Sequence, residues 1–137
     1  MPEQRLAVRL APIAYPLANH FYRTHRTQMR ARGHHQVLVL REDVIIGALC
    51  LQPVAHGHWL TNLLIAPEHR GRGCARQLLS EARRQVAGSI WLFCLPELES
   101  FYQGAGYQRC EQIPLPLVDR LSRYLQSKSL IAMEHTG

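Results

Sequence analysis

The chain has no apolar run near the roughly 18 residues of a membrane-crossing helix. Met1 is followed by Pro2-Glu3-Gln4 with no apolar leader segment behind it, so a soluble, cytoplasmic protein is expected. It also has no Cys-x-x-Cys pair. Cys50, Cys74, Cys94 and Cys110 are scattered in or beside apolar runs, which reads as four small core hydrophobes and gives no disulfide framework. The eight histidines show no metal spacing with acidic or cysteine partners, so no metal is expected. No repeat, low-complexity segment or block of like charge interrupts the sequence, and this argues against disorder. Lysine is nearly absent: one Lys stands against fifteen Arg, and the net charge is +6. That balance favours anionic partners, among them nucleotide cofactors, nucleic acid and acidic proteins. With 137 residues, a single domain covering 1–137 is expected.

What is present is concentrated between Leu63 and Leu79. Leu63-Leu64-Ile65 reads as the end of a strand, Arg70-Gly71-Arg72-Gly73 as a loop with little bulk, and Cys74-Ala75-Arg76-Gln77-Leu78-Leu79 as the first turns of a helix. A helix start leaves backbone N–H groups unpaired and carries the positive end of the peptide dipoles, so glycines there let an anion approach. Arg70, Arg72 and Arg76 add guanidinium forks that match phosphate oxygens two at a time. The pattern suits a diphosphate.

Around this loop the chain reads as mixed α and β. A short strand at 6–10 precedes a helix from Leu17 to Met29 or Arg30, with Leu17, Phe21, Tyr22 and Met29 inward and Arg23, Arg26, Arg30 and Arg32 outward. Gln36 to Leu40 and Val44 to Leu51 form a hairpin about Arg41-Glu42-Asp43, and His58 to Ile65 completes a meander. The helix after the loop carries a stripe of Ala75, Leu78, Leu79, Ala82 and Val86 and is closed by Gly88. Ser89 to Leu95 then forms a strand parallel to the one before the helix, because a helix separates them. A short helix at 97–103, a strand near 107–112, a helix at 117–125 and a strand at 129–133 follow. The tail from Glu134 is expected to fray.

Two ordered motifs resemble one family. Arg70-x-x-Gly73-x-Ala75 fits the Arg/Gln-x-x-Gly-x-Gly/Ala signature of the GNAT N-acetyltransferase superfamily, and Phe101-Tyr102-Gln103-Gly104-Ala105-Gly106-Tyr107 resembles its Phe-Tyr-x-x-x-Gly-Phe/Tyr segment. The likeness covers roughly residues 36 to 110. It implies an α+β fold with a central, mostly antiparallel twisted sheet, one parallel strand pair and helices on both faces. It also implies acetyl-CoA as co-substrate, with the diphosphate on Arg70, Gly71, Arg72, Gly73, Cys74, Ala75 and Arg76. The pantetheine arm would pair with the main chain of Leu63, Leu64 and Ile65 as an added strand does. An N–H of Leu64 or Ile65 would steady the thioester oxygen. Tyr102 matches the family's proton donor to the thiolate, and a phenol with a free pKa of about 10 is protonated at neutral pH. Without that match, Phe101 and Tyr102 read as packing residues of a short helix. Cys94 to Ser100 lacks the Asn that many members place there.

The acceptor implied is a primary amine, on a small molecule or a peptide, and the base that deprotonates it is left open among His58, Glu97, Glu99 and an ordered water. If the strand alternates regularly, His58, Leu60, Asn62 and Leu64 share one face. Family members often form homodimers. Rival readings are weaker. Gly71-x-Gly73 lacks the third glycine of a dinucleotide fold, and no Gly-Lys-Ser/Thr marks a P-loop. A non-catalytic RNA-binding or regulatory module on the same scaffold would use Arg23, Arg26, Arg30 and Arg32, but few exposed aromatics and no RNA motif support it. Neither nucleic acid nor a membrane is expected as a partner.

Overall fold

A computed structural model describes residues 4–137. The chain is mixed α+β, with seven strands in one sheet in the order β1-β2-β3-β4-β5-β7-β6. These are β1 (Leu6–Arg9), β2 (Gln36–Arg41), β3 (Ile45–Val54), β4 (Gly57–Ile65), β5 (Ser89–Cys94), β6 (Gln108–Arg109) and β7 (Ile131–His135), and the α-helices are α1 (Tyr15–Thr24), α2 (Cys74–Gln85), α3 (Glu99–Gly104) and α4 (Leu115–Tyr124). Contacts divide the described residues into two compact units, one of 4–52 with 60–85 and one of 53–59 with 86–137. Among the described residues no helix is long and apolar enough to cross a membrane.

In the first unit β1 pairs antiparallel with β2, and β2 with β3. Val37 to Leu40 and Ile46 to Leu51 are all buried, Gly47 included, which is why these strands read as continuous apolar runs. Tyr15, Ala18, Phe21 and Tyr22 form the buried stripe of α1 and pack with Val37, Val39, Ala48 and Cys50. In α2 the buried stripe is Cys74, Leu78, Leu79 and Ala82. Cys74 is buried, as expected of a small core hydrophobe, and takes the inward place assigned to Ala75, which is half-buried.

The expected first helix is shorter than its pattern. It ends at Thr24, because Arg26 adopts a positive φ of 57°. The chain then folds back: the Thr27 N–H donates to the Tyr22 carbonyl at 3.2 Å, and the Asn19 amide brackets Ala31, accepting from its N–H at 2.7 Å and donating to its carbonyl at 3.2 Å. Arg26, Arg30 and Arg32 therefore lie in a loop and do not share a helical face with Arg23. Leu17 is 56 % exposed and is not part of the core; it lines a cavity of about 540 Å³ together with Phe21, Ile46, Glu68 and His69.

The same loop closes on His35. Tyr15 donates its hydroxyl to the His35 carbonyl, and the His35 Nδ1 accepts the Arg32 N–H at 3.1 Å. Burial, with His34 and Arg32 nearby, pushes the imidazole down to about 4. The unfolded chain binds this proton near pH 6.5 and the folded chain does not, so the contribution of His35 to stability should be constant above about pH 6.5 and fall as the pH drops toward 4. Urea midpoints at pH 7.5 and pH 5 check this, and His35→Gln should flatten the difference.

In the second unit β4 and β5 pair in parallel through Gly57, His58 and Trp59 against Ser89, Ile90 and Trp91, as the intervening helix predicts. Trp59, Trp91, Leu117 and Val54 form the core there, and the Arg120 guanidinium lies 4.9 Å from the Trp59 ring centre. Two expectations fail. Glu134 and His135 do not fray: β7 runs antiparallel between β5 and β6, with His135 opposite Ile90 and Glu134 opposite both Trp91 and Gln108. Gly88 does not cap α2, which ends three residues earlier at Gln85. Gly88 has φ 81° at the entrance to β5, where a Cβ would stand 2.3 Å from the His56 carbonyl oxygen. Gly88→Ala is therefore expected to cost about 3 kcal/mol, combining backbone strain with overlap, read as a lowered urea midpoint.

Candidate active site

The first unit folds an open backbone cradle between β4 and α2. The Ala66 N–H donates to the Ile46 carbonyl at 2.8 Å, ending β4 against β3. The turn Pro67–His69 follows, and the Arg70 Nε reaches back to the Ile65 carbonyl at 3.2 Å. Gly71 and Gly73 have φ of 78° and 79°, a conformation L side chains rarely adopt. No atom lies within 4 Å of the Cβ position of either one, so they are required by the turn and leave open space above it. The Gln77 N–H returns to the Gly73 carbonyl at 3.0 Å and starts α2. The N–H groups of that first turn have no helical carbonyl behind them. Arg70, Arg72 and Arg76 are exposed around them, whereas the Cys74 side chain is buried, so only its backbone is available to a ligand.

One contributor gave no sequence signal. Arg5, before β1, donates through Nη1 to the Arg72 carbonyl at 2.8 Å and lies 2.8 Å from the Cys74 Sγ, and its own carbonyl accepts from the Gln77 side chain at 3.1 Å. It braces the loop from a position some 67 residues away in sequence.

β4 is interrupted just upstream. Asn62 has φ 59°, and a left-handed residue inside a strand breaks the two-residue alternation of its side chains. His58, Leu60, Asn62 and Leu64 therefore do not form one face: Leu60 is buried while the other three are partly exposed. Leu63 and Leu64 are half-buried and Ile65 is buried. The Asn62 carbonyl accepts the Tyr22 hydroxyl at 2.7 Å, and its side-chain amide donates to the Arg30 carbonyl at 3.1 Å.

In the second unit, α3 holds Tyr102 at 8 % exposure, its ring 5.1 Å from Phe101 and 5.8 Å from Tyr107. Burial, with Cys94 close by, pushes its phenol up to about 12, so it keeps its proton at any physiological pH. Packing against Tyr107 thus leaves Tyr102 with a phenol that stays protonated. Glu99 takes a two-pronged contact from Arg109, at 2.7 and 3.1 Å. Glu97 is exposed, and His58 is half-buried in the parallel pair. Among the described residues no group of three or more His, Cys, Asp or Glu is placed to hold a metal ion.

Comparison with known proteins bears on the fold and the family. No curated protein matches the sequence. Solved structures share the fold. A Lactobacillus plantarum protein assigned as an N-acetyltransferase superposes with a TM-score of 0.71 at 16% identity, over 96% of this chain and 97% of that one. The ribosomal-protein-S18-alanine N-acetyltransferase of Escherichia coli gives 0.67 at 13% identity, over 97% and 94%. Arabidopsis thaliana Naa50, in complex with the bisubstrate analogue CoA-Ac-MVNAL, gives 0.67 at 10% identity, over 97% and 99%. The model of the acetyltransferase (GNAT) domain matches residues 33–109, which span both motifs, the first of them the glycine turn described above. The chain belongs to the GNAT acetyltransferase family.

Proposed function

We propose that this protein moves an acetyl group from acetyl-CoA to the primary amine of a small molecule or peptide, by direct attack within a ternary complex. The observation that carries the reading is the cradle: two glycines at positive φ under open space, at the mouth of α2, ringed by three exposed arginines. Its charge and hydrogen-bonding pattern suit the diphosphate of coenzyme A. The main chain of Leu63, Leu64 and Ile65 takes the pantetheine arm.

The reaction then needs little from side chains. The amine nitrogen attacks the thioester carbon, and the N–H of Leu64 or Ile65 holds the oxyanion that forms. Collapse of this intermediate breaks the carbon–sulfur bond, and Tyr102 gives its proton to the leaving thiolate. The nitrogen loses a proton to water, or to His58 or Glu97; the Arg109 contact makes Glu99 the least available of the three carboxylate and imidazole candidates.

Calorimetric titration with coenzyme A tests the cradle, and release of free thiol across a library of amines tests the transfer. One molecule bound per chain and amine-dependent thiol release are expected. A flat isotherm overturns the reading.

A further inference from the structure

A nine-residue strand has little reason to contain a left-handed residue at its centre, since each such position strains an L side chain. β4 has one at Asn62, immediately before the three residues whose main chain is proposed to face the thioester. Three groups converge on it. The Tyr22 hydroxyl donates to its carbonyl at 2.7 Å, its amide donates to the Arg30 carbonyl at 3.1 Å, and the Cys50 Sγ lies 3.7 Å from that amide and 3.8 Å from the Tyr22 oxygen. Tyr22 is fully buried, so its hydroxyl is held by the surrounding core and has no freedom to seek another acceptor. The network runs from the buried Tyr22 and Cys50 out to a partly exposed Asn62, and at its buried end an unsatisfied member is costly, so the satisfied arrangement favours one geometry.

We propose that Tyr22 and Asn62 are positioning residues that lock the left-handed turn of β4 and thereby aim the N–H groups of Leu63 to Ile65 at the acyl arm of the co-substrate. The inference rests on the function proposed above. Its logic is geometric. Asn is the side chain best suited to this backbone region after Gly, and its amide also ties down the loop carrying Arg30. That loop is held independently by Asn19 on Ala31 and by Tyr22 on Thr27. Loop and strand are therefore a single rigid support for the bend, with Tyr22 common to both. A shift of the bend would redirect the following N–H groups without disturbing the core beneath.

Three substitutions separate this role from plain stability. Tyr22→Phe keeps the buried ring and removes one hydrogen bond. Asn62→Ala removes the amide and leaves a Cβ at positive φ, whereas Asn62→Gly removes the amide and accepts that φ without strain. Turnover is read as thiol release at a temperature well below each variant's melting point. Tyr22→Phe and Asn62→Ala should lose kcat by about tenfold, the scale of a misplacement well under 1 Å, with the KM for acetyl-CoA changed by less than about threefold, since the diphosphate cradle is untouched. Asn62→Gly should recover the part of the loss that comes from strain at the positive φ, the remainder being the share of the missing amide. Backbone amide shifts of Leu63, Leu64 and Ile65 give a readout free of activity: they should move in Asn62→Ala and return toward wild type in Asn62→Gly. Wild-type kcat in both Tyr22→Phe and Asn62→Ala overturns the proposal, as do unmoved amides. If the wild-type protein itself neither binds coenzyme A nor releases thiol, the underlying function fails, and the amide shifts alone decide whether the lock exists.

Discussion

Gly73→Glu should raise the KM for acetyl-CoA about a hundredfold while leaving the protein folded. Two charge-assisted hydrogen bonds at roughly 1.5 kcal/mol each amount to that factor, and a carboxylate set at the helix mouth competes for the same N–H groups and repels the diphosphate. No atom lies within 4 Å of the new Cβ, so the cost to stability is confined to the strained φ of 79°, about 1–2 kcal/mol. Gly73→Ala carries the same strain without the charge and should show a much smaller rise. Steady-state kinetics with circular dichroism as the folding control distinguishes them. Equal KM values in Gly73→Glu and wild type would remove the diphosphate from this loop.

Tyr102→Phe should lower kcat by about a hundredfold, the lower range for loss of a positioned proton donor, and leave the KM for acetyl-CoA nearly unchanged. The ring stays to pack against Tyr107, so stability should barely move. The acidity of the phenol gives a second signature. With its pKa raised to about 12, Tyr102 is protonated below that pH, and the wild-type rate should climb as the acceptor amine loses its proton and show no alkaline decline from this group up to about pH 11. A decline near pH 10 that vanishes in Tyr102→Phe would place the phenol in a more exposed, ordinary setting. Undiminished kcat in the variant would reduce Tyr102 to packing.

The loop and the helix behind it were legible because their chemistry is local. Gly71, Gly73 and the arginines state a backbone requirement and a charge in adjacent letters, and the order strand, helix, strand dictates the parallel pair of β4 and β5. What was hidden depends on contacts distant in sequence. Arg5 has no neighbours that mark it, and only the folded chain brings it to the Arg72 carbonyl. The early end of α1 has no Gly or Pro to announce it, since the reversal at Arg26 is held by Asn19 and Tyr22 from the preceding turns. Asn62 did carry a clue: Asn is poor in strands and tolerant of left-handed backbone, and its place amid Trp59, Leu60, Leu63 and Leu64 could have flagged the bend. Glu134 and His135 looked like a loose end because a polar pair at a strand's end resembles a tail, and only the two neighbouring strands give it purpose.

The placement of β7 between β5 and β6 has a bearing on how the protein is made. Both neighbours leave the ribosome before the strand that joins them, so a nascent chain that has emerged only through Arg109 exposes an unpaired edge of β5, flanked by Ile90, Trp91 and Leu92. Such an edge is a template for any other growing chain nearby. Slow synthesis over the 110–130 stretch should therefore favour aggregation during expression, and a trigger that speeds delivery of Ile131–His135 should relieve it.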